Sequence, residues 1–269
     1  MNTNKTSPVP KTPGPTPKAG NGQPKAQKPI SALLIPLSIV AAGLLIAGGI
    51  FASSVYTADK NPSGQTNQDT ADKQNQDDSV SQAAKLASAM DPITAQDHIM
   101  GSPEAKVKIV EYSDLDCPFC SKAHQTIKQL LAEYGSDKIA WVYRHYPIPQ
   151  LHPYAALKSR ATECAFEQKG ETGFWNFVDA YFLQQDPQAK SEELIILARS
   201  QGLDVAKFSQ CLSSNKYDER ISAQAQNAVS AGSQGTPYFV LVAGANYVPI
   251  KGALPIASFQ TEIDKLLEK

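Results

Sequence analysis

An α/β fold carrying an inserted helical block is predicted by three features of the 269-residue sequence. A β-branched run, Val107–Tyr112, leads through a short turn into an amphipathic helix and then a second strand, Ile139–Tyr146. From about residue 150 to 232 the apolar spacing is helical throughout, more than the single helix a β-to-β crossover needs. Gly235-Thr236-Pro237 then breaks the pattern, and two short strands and a closing helix follow.

What precedes this block differs from it in kind. Residues 1–29 hold Lys5, Lys11, Lys18, Lys25 and Lys28, no acidic residue and many prolines, which predicts a disordered cytoplasmic tail. From Ile30 to Ala52 the chain is uncharged and apolar, long enough at ~1.5 Å per residue to cross a ~30 Å hydrocarbon core. A single transmembrane anchor is expected there. The rival is a cleaved signal peptide ending near Ala52-Ser53-Ser54, but the block is longer than such segments usually are. Lysines before the span and Asp59, Asp69, Asp72, Asp77 and Asp78 after it place the tail inside and the remainder outside. Residues 53–90 read as a polar flexible linker with one helical stretch at Val80–Ala89, reaching on the order of 35 Å. Residues 91–269 then form the folded domain, with both Trp residues, and a net charge of −1 argues against a nucleic-acid partner.

Within that domain Val107–Tyr112 reads as a central strand, and the next helix ends near Gly135 with Ile127, Leu130, Leu131 and Tyr134 on its apolar face. Pro147 and Pro149 end the second strand. In the helical insertion, Tyr154, Leu157, Ala161 and Cys164 line one face, and Phe174, Phe177, Val178, Tyr181 and Phe182 another. Ser191 is expected to cap a third helix that Gly202 stops, Asp204 a fourth bearing Phe208, Cys211 and Leu212, and Ile221, Ala225, Ala228 and Val229 mark a last one. Tyr238–Val242 and Tyr247–Ile250 read as an antiparallel pair, and Ser258–Lys269 as an amphipathic helix.

Four cysteines all lie in the folded domain. Cys117-Pro118-Phe119-Cys120 sits where a helix should start, with Pro118 suited to the first helical position. A thiol there faces unpaired backbone N–H groups and the positive end of the helix dipole, which lowers its pKa. Asp114 and Asp116, if they point inward, would push it back up. Half a zinc site is the rival reading, but a Cys₄ site wants a second close pair, and Cys164 and Cys211 are far apart in sequence. His124 reads as a helix-surface residue. Outside the cytoplasm Cys164 and Cys211 would pair as a structural disulfide worth about 4 kcal/mol by loop entropy. A second redox pair or two free thiols are the alternatives. Glu111 lies on the central strand, and the flanking alternation leaves open whether it is buried or solvated.

The order strand, Cys-x-x-Cys helix, strand, helices, Gly-Thr-Pro, two strands, helix resembles the thioredoxin fold with a helical insertion. Specifically it resembles the DsbA-type thiol–disulfide oxidoreductases in their membrane-tethered form, over about residues 92–268. The carriers are Ile109-Val110-Glu111-Tyr112-Ser113-Asp114, Cys117-Pro118-Phe119-Cys120 and Gly235-Thr236-Pro237-Tyr238-Phe239. The resemblance implies that Cys117 forms the mixed disulfide and Cys120 resolves it. It also implies that Glu111 is a buried acid moving a proton to or from Cys120, and that Thr236-Pro237 is a cis-proline loop opposite the pair that receives an extended client. It implies no cofactor and no metal. The expected function is donation of disulfides to secreted or envelope proteins, with reoxidation by a membrane quinone-linked thiol oxidase. A reductase or isomerase of the same fold, or a non-catalytic client-binding module, are the alternatives.

Overall fold

The computed structural model describes residues 78–268, and the expected tail, the anchor and most of the linker lie outside the described residues. Among the described residues no helix is long and apolar enough to cross a membrane.

Five strands form one mixed sheet in the order β1-β3-β2-β4-β5. They are β1 (His98–Met100), β2 (Val107–Ser113), β3 (Ile139–His145), β4 (Tyr238–Ala243) and β5 (Asn246–Lys251). Only β2 and β3 run parallel, in the register Glu111↔Tyr143 and Ser113↔His145, joined through α2 (Pro118–Tyr134). β4 lies antiparallel to β2, with Glu111 opposite Phe239. Between β3 and β4 run α3 (Ala155–Leu183), α4 (Ser191–Ser200), α5 (Val205–Ser213) and α6 (Asp218–Ser230), and α7 (Ile256–Leu267) closes the fold. Helix α3 kinks where Lys169 and Gly170 leave helical backbone, Gly170 at φ +60°.

The sheet is covered on both faces, so its central strand is buried on both sides rather than alternating in polarity. One face of β2 presents Ile109 to a core shared with Ile127 and Leu130 of α2, Phe259 and Ile263 of α7, and the aromatic residues of α3. The other presents Val110 and Tyr112 to Ala228 and Ala231, and to Ala87 and Met90.

Those last two residues correct the linker boundary. Residues 78–87 are helical (α1), and Ala87 and Met90 are buried against the sheet. The Asp91 backbone N–H also donates to Asn227 Oδ1 at 3.1 Å, and Arg144 donates to the Asp91 and Pro92 carbonyls. The folded unit therefore reaches back into the stretch read as linker. A second correction concerns α4: its N-cap is Lys190, whose backbone N–H donates to Glu193 Oε2 at 2.8 Å, and Ser191 is already helical. Asp204 does cap α5, accepting from the Lys207 N–H at 3.0 Å. Edge strand β1 is three residues long, too short to show a period.

Candidate functional site

Helix α2 places the two thiols. Cys117 is its N-cap and Pro118 opens it, because proline lacks the N–H that would have no partner there. Cys117 O then accepts from the N–H groups of Cys120 (3.1 Å) and Ser121 (3.2 Å). Both cysteines are free thiols, Cys117 5% exposed and Cys120 fully buried.

Their environments drive the two sulfurs apart. The Cys117 pKa falls to about 6, mainly through the hydrogen bond from the Cys120 thiol, helped by the Thr236 side chain and the N–H groups of Cys120 and Phe119. Burial opposes this, and Cys117 Sγ also contacts the Thr236 carbonyl at 3.5 Å. The Cys120 pKa goes well above the ordinary thiol value through burial first, then through its bond to Cys117 and the nearby Glu111 charge. The dipole argument from sequence is thus only part of the cause: the neighbouring thiol contributes most.

Opposite Cys117 the Thr236-Pro237 peptide is cis. The Ser233 hydroxyl donates to the Gly235 carbonyl at 2.8 Å, and the Gly252 N–H to the Pro237 carbonyl at 2.9 Å, fixing the loop to both sides of its own turn. An open groove runs past Gly235, Thr236 and Pro237 to Lys251 and Gly252.

Glu111 settles on the face of β2 that looks toward Cys120. Its carboxyl is fully buried, Oε2 accepts from Trp141 Nε1–H at 3.0 Å, and Oε1 has no hydrogen-bond partner among the described residues. Burial raises its pKa to about 7, with Ser113 and then Trp141 opposing. A carboxyl poised there can give or take a proton at neutral pH.

Asp114 and Asp116 do point inward, yet each is already engaged. Asp114 accepts from the Asp116 N–H (2.9 Å), the Ile148 N–H (2.8 Å) and His152 Nδ1 (2.9 Å), tying the loop after β3 onto the cysteine turn. Its own N–H donates to Cys120 Sγ at 3.4 Å. Asp116 accepts from the Tyr181 hydroxyl at 2.5 Å and pairs with buried Lys158 at 3.1 Å. Gln185, just past α3, donates to the Leu115 and Cys117 carbonyls at 2.6 and 3.0 Å. His124 is a correction: it is buried, not on the surface, and with Lys128 it binds Asp179 of α3. The insertion therefore grips the cysteine turn from several directions, and Phe119, Leu151 and Leu183 stay exposed on segments so held.

Sequence reasoning missed Lys158, Gln185, His152 and Tyr181. Nothing local marks them, since each meets the turn from 38 or more residues away. Cys164 and Cys211 are bonded to one another, joining α3 to α5. A further buried cluster brings His98, His145 and Glu163 together, their ligand-capable atoms within 4.8 Å. Arg220 closes it with an ion pair to Glu163 at 3.1 Å, so it reads as a seam of β1, β3, α3 and α6 rather than an open metal site.

A family model described as Thioredoxin matches residues 93–265. Among curated proteins, the Na(+)/H(+) antiporter NhaA 3 of Salinispora tropica is 34% identical over 144 residues, 54% of this chain and 21% of that protein. The chain thus spans about a fifth of the length of the curated relatives it matches. Among solved structures, Pseudomonas aeruginosa DsbA2 superposes with TM-score 0.55 at 27% identity, covering 65% of this chain and 97% of that one. Wolbachia pipientis alpha-DsbA1 gives 0.55 at 21%, covering 65% and 93%.

Proposed function

We propose, from the premise that the chain belongs to the thioredoxin family and is a DsbA-like thiol–disulfide oxidoreductase in its fold, that Cys117–Cys120 donates its disulfide to protein clients. The observation that supports this direction is the split between the two sulfurs, with Cys117 the stabilised thiolate at about 6 and Cys120 the strongly disfavoured one. Stabilising the thiolate stabilises the reduced form, which makes the disulfide the better oxidant.

A client thiolate attacks Cys117 Sγ of the disulfide. The Cys117–Cys120 bond breaks, and Cys120 leaves with the electron pair. Its high proton affinity is met by a proton from Glu111, which sits at the right acidity and depth to supply one. The client's second thiolate then attacks the client sulfur of the mixed disulfide, and Cys117 departs as the stabilised thiolate. The client is oxidised by two electrons and the pair reduced by two. The groove at Thr236-Pro237 would hold the client in extended form beside Cys117, as an added strand.

The apolar span Ile30–Ala52 would anchor this domain outside the cytoplasm, where disulfides persist, and a membrane quinone-linked thiol oxidase would restore the Cys117–Cys120 bond. Thiol trapping of the full chain in growing cells tests the direction. A mostly oxidised pair is expected, and a mostly reduced pair would reassign the protein as a reductase or isomerase.

A further inference from the structure

We propose that Lys158 sets the acidity of Cys117 by neutralising Asp116, a tuning role that rests on Cys117 being the reactive thiol. Asp116 immediately precedes Cys117 in the chain. Covalent geometry keeps its carboxylate within about 10 Å of Cys117 Sγ whatever the rotamers. It is 1% exposed, so little water screens it. A lone carboxylate in that position opposes a thiolate next door, as like charges do in a medium of low dielectric.

The structure supplies one cation against it. Lys158 comes from the first turn of α3, is itself fully buried, and places Nζ 3.1 Å from Asp116 Oδ2. The ammonium is held there by the Pro187 carbonyl at 3.1 Å and by the Tyr154 ring, whose centroid is 5.2 Å away. Burial pushes the Asp116 pKa up, and the Tyr181 and Lys158 hydrogen bonds and the Lys158 charge act against that push. Tyr181 donates a neutral hydrogen bond to Oδ1, and Asp114 adds a second negative charge whose own acceptors are turned to the loop after β3.

A buried pair of this kind is weak evidence for stability, because packed apolar side chains often do as well. Its location gives it another use. With Lys158 present the Asp116 carboxylate is balanced, and the donors around Cys117 act against burial rather than against burial and an uncompensated neighbouring charge. Without Lys158, the Asp116 carboxyl and the Cys117 thiol would compete for one negative charge, and their titrations would couple.

The test is titration of the Cys117 thiolate by ultraviolet absorbance in the reduced full chain, wild type against D116N, K158M and the double variant. D116N should lower the midpoint by about one pH unit, a tenfold change in thiolate. K158M should raise it by about as much, and the double variant should return to within ~0.3 unit of wild type. Equilibration with glutathione should follow: D116N about tenfold, or ~30 mV, more oxidising, and K158M about tenfold less. Single variants that move the midpoint in the same direction, or move it by less than ~0.3 unit, overturn the proposal. Should K158M not fold, D116N decides alone, since it keeps the side-chain shape and leaves Lys158 unbalanced. An unchanged or raised midpoint in D116N rejects the role. Midpoints that shift as stated in a protein that oxidises no client would leave this proposal standing and remove the functional reading instead.

Discussion

Cys117–Cys120 and Cys164–Cys211 are two pairs of the same side chain in one domain, held in opposite ways. The first pair lies three residues apart at a helix N-terminus, where one sulfur is offered donors and the other is sealed from water. The second joins α3 to α5 across 47 residues, from positions inside both helices rather than at a helix start. The difference teaches that reactivity here comes from asymmetry. A pair whose members differ in proton affinity can open in one direction easily, whereas a pair embedded between two packed helices is a tether.

The largest effect expected from that contrast is chemical. Cys117→Ser should abolish disulfide transfer to a reduced model client while leaving the fold intact, measured by client thiol release. Removing both Cys164 and Cys211 as alanine should preserve transfer but cost about 4 kcal/mol of stability in urea unfolding. Transfer lost in the second variant and kept in the first would invert the comparison.

Next comes Glu111, the group that separates the two pairs most clearly. Its pKa is about 7 in the folded chain against 4.5 as an ordinary glutamate. The raised value means the native state prefers the protonated carboxyl. Its contribution to stability is fully present below pH 4.5 and is lost as pH rises through about 7. Above that the penalty is on the order of 3 kcal/mol. E111Q should therefore be more stable than wild type at pH 8 by about that amount and no more stable at pH 4. The same variant should slow client oxidation and remove the part of its pH dependence centred near 7.

The smallest effect lies on the tether side. Asp204→Ala removes the cap of α5, the helix that carries Cys211, and should cost about 1 kcal/mol with no change in the Cys117 thiolate midpoint. A shifted midpoint there would show that the two regions communicate.

The parts of this site that were legible in sequence are those written locally. Cys117-Pro118-Phe119-Cys120 carries its own helix start, and Gly235-Thr236-Pro237 its own break. The face taken by Glu111 was not legible, because Val110 and Tyr112 on one side and Ile109 on the other are all buried, leaving no alternation to read. The start of the domain was misplaced for a related reason. Residues 78–90 mix small, polar and apolar side chains, and of them only Ala87 and Met90 are buried, so the helical stretch expected at Val80–Ala89 gave no sign that it packs on the sheet. The engagement of Asp114 and Asp116 was hidden entirely. Ile148, His152, Lys158 and Tyr181 reach them through the tertiary fold, and no local period encodes those meetings. Sequence alone left these two acids as the groups best placed to weaken Cys117. In the structure one is spent on loop attachment and the other faces a lysine.

The central claim is that the asymmetry of the first pair makes its disulfide an oxidant. The direct measurement is the equilibrium of the full chain's Cys117–Cys120 pair with defined ratios of reduced and oxidised glutathione, read by thiol trapping. A potential well above thioredoxin's value of about −270 mV is predicted. A potential at or below about −270 mV would contradict the account.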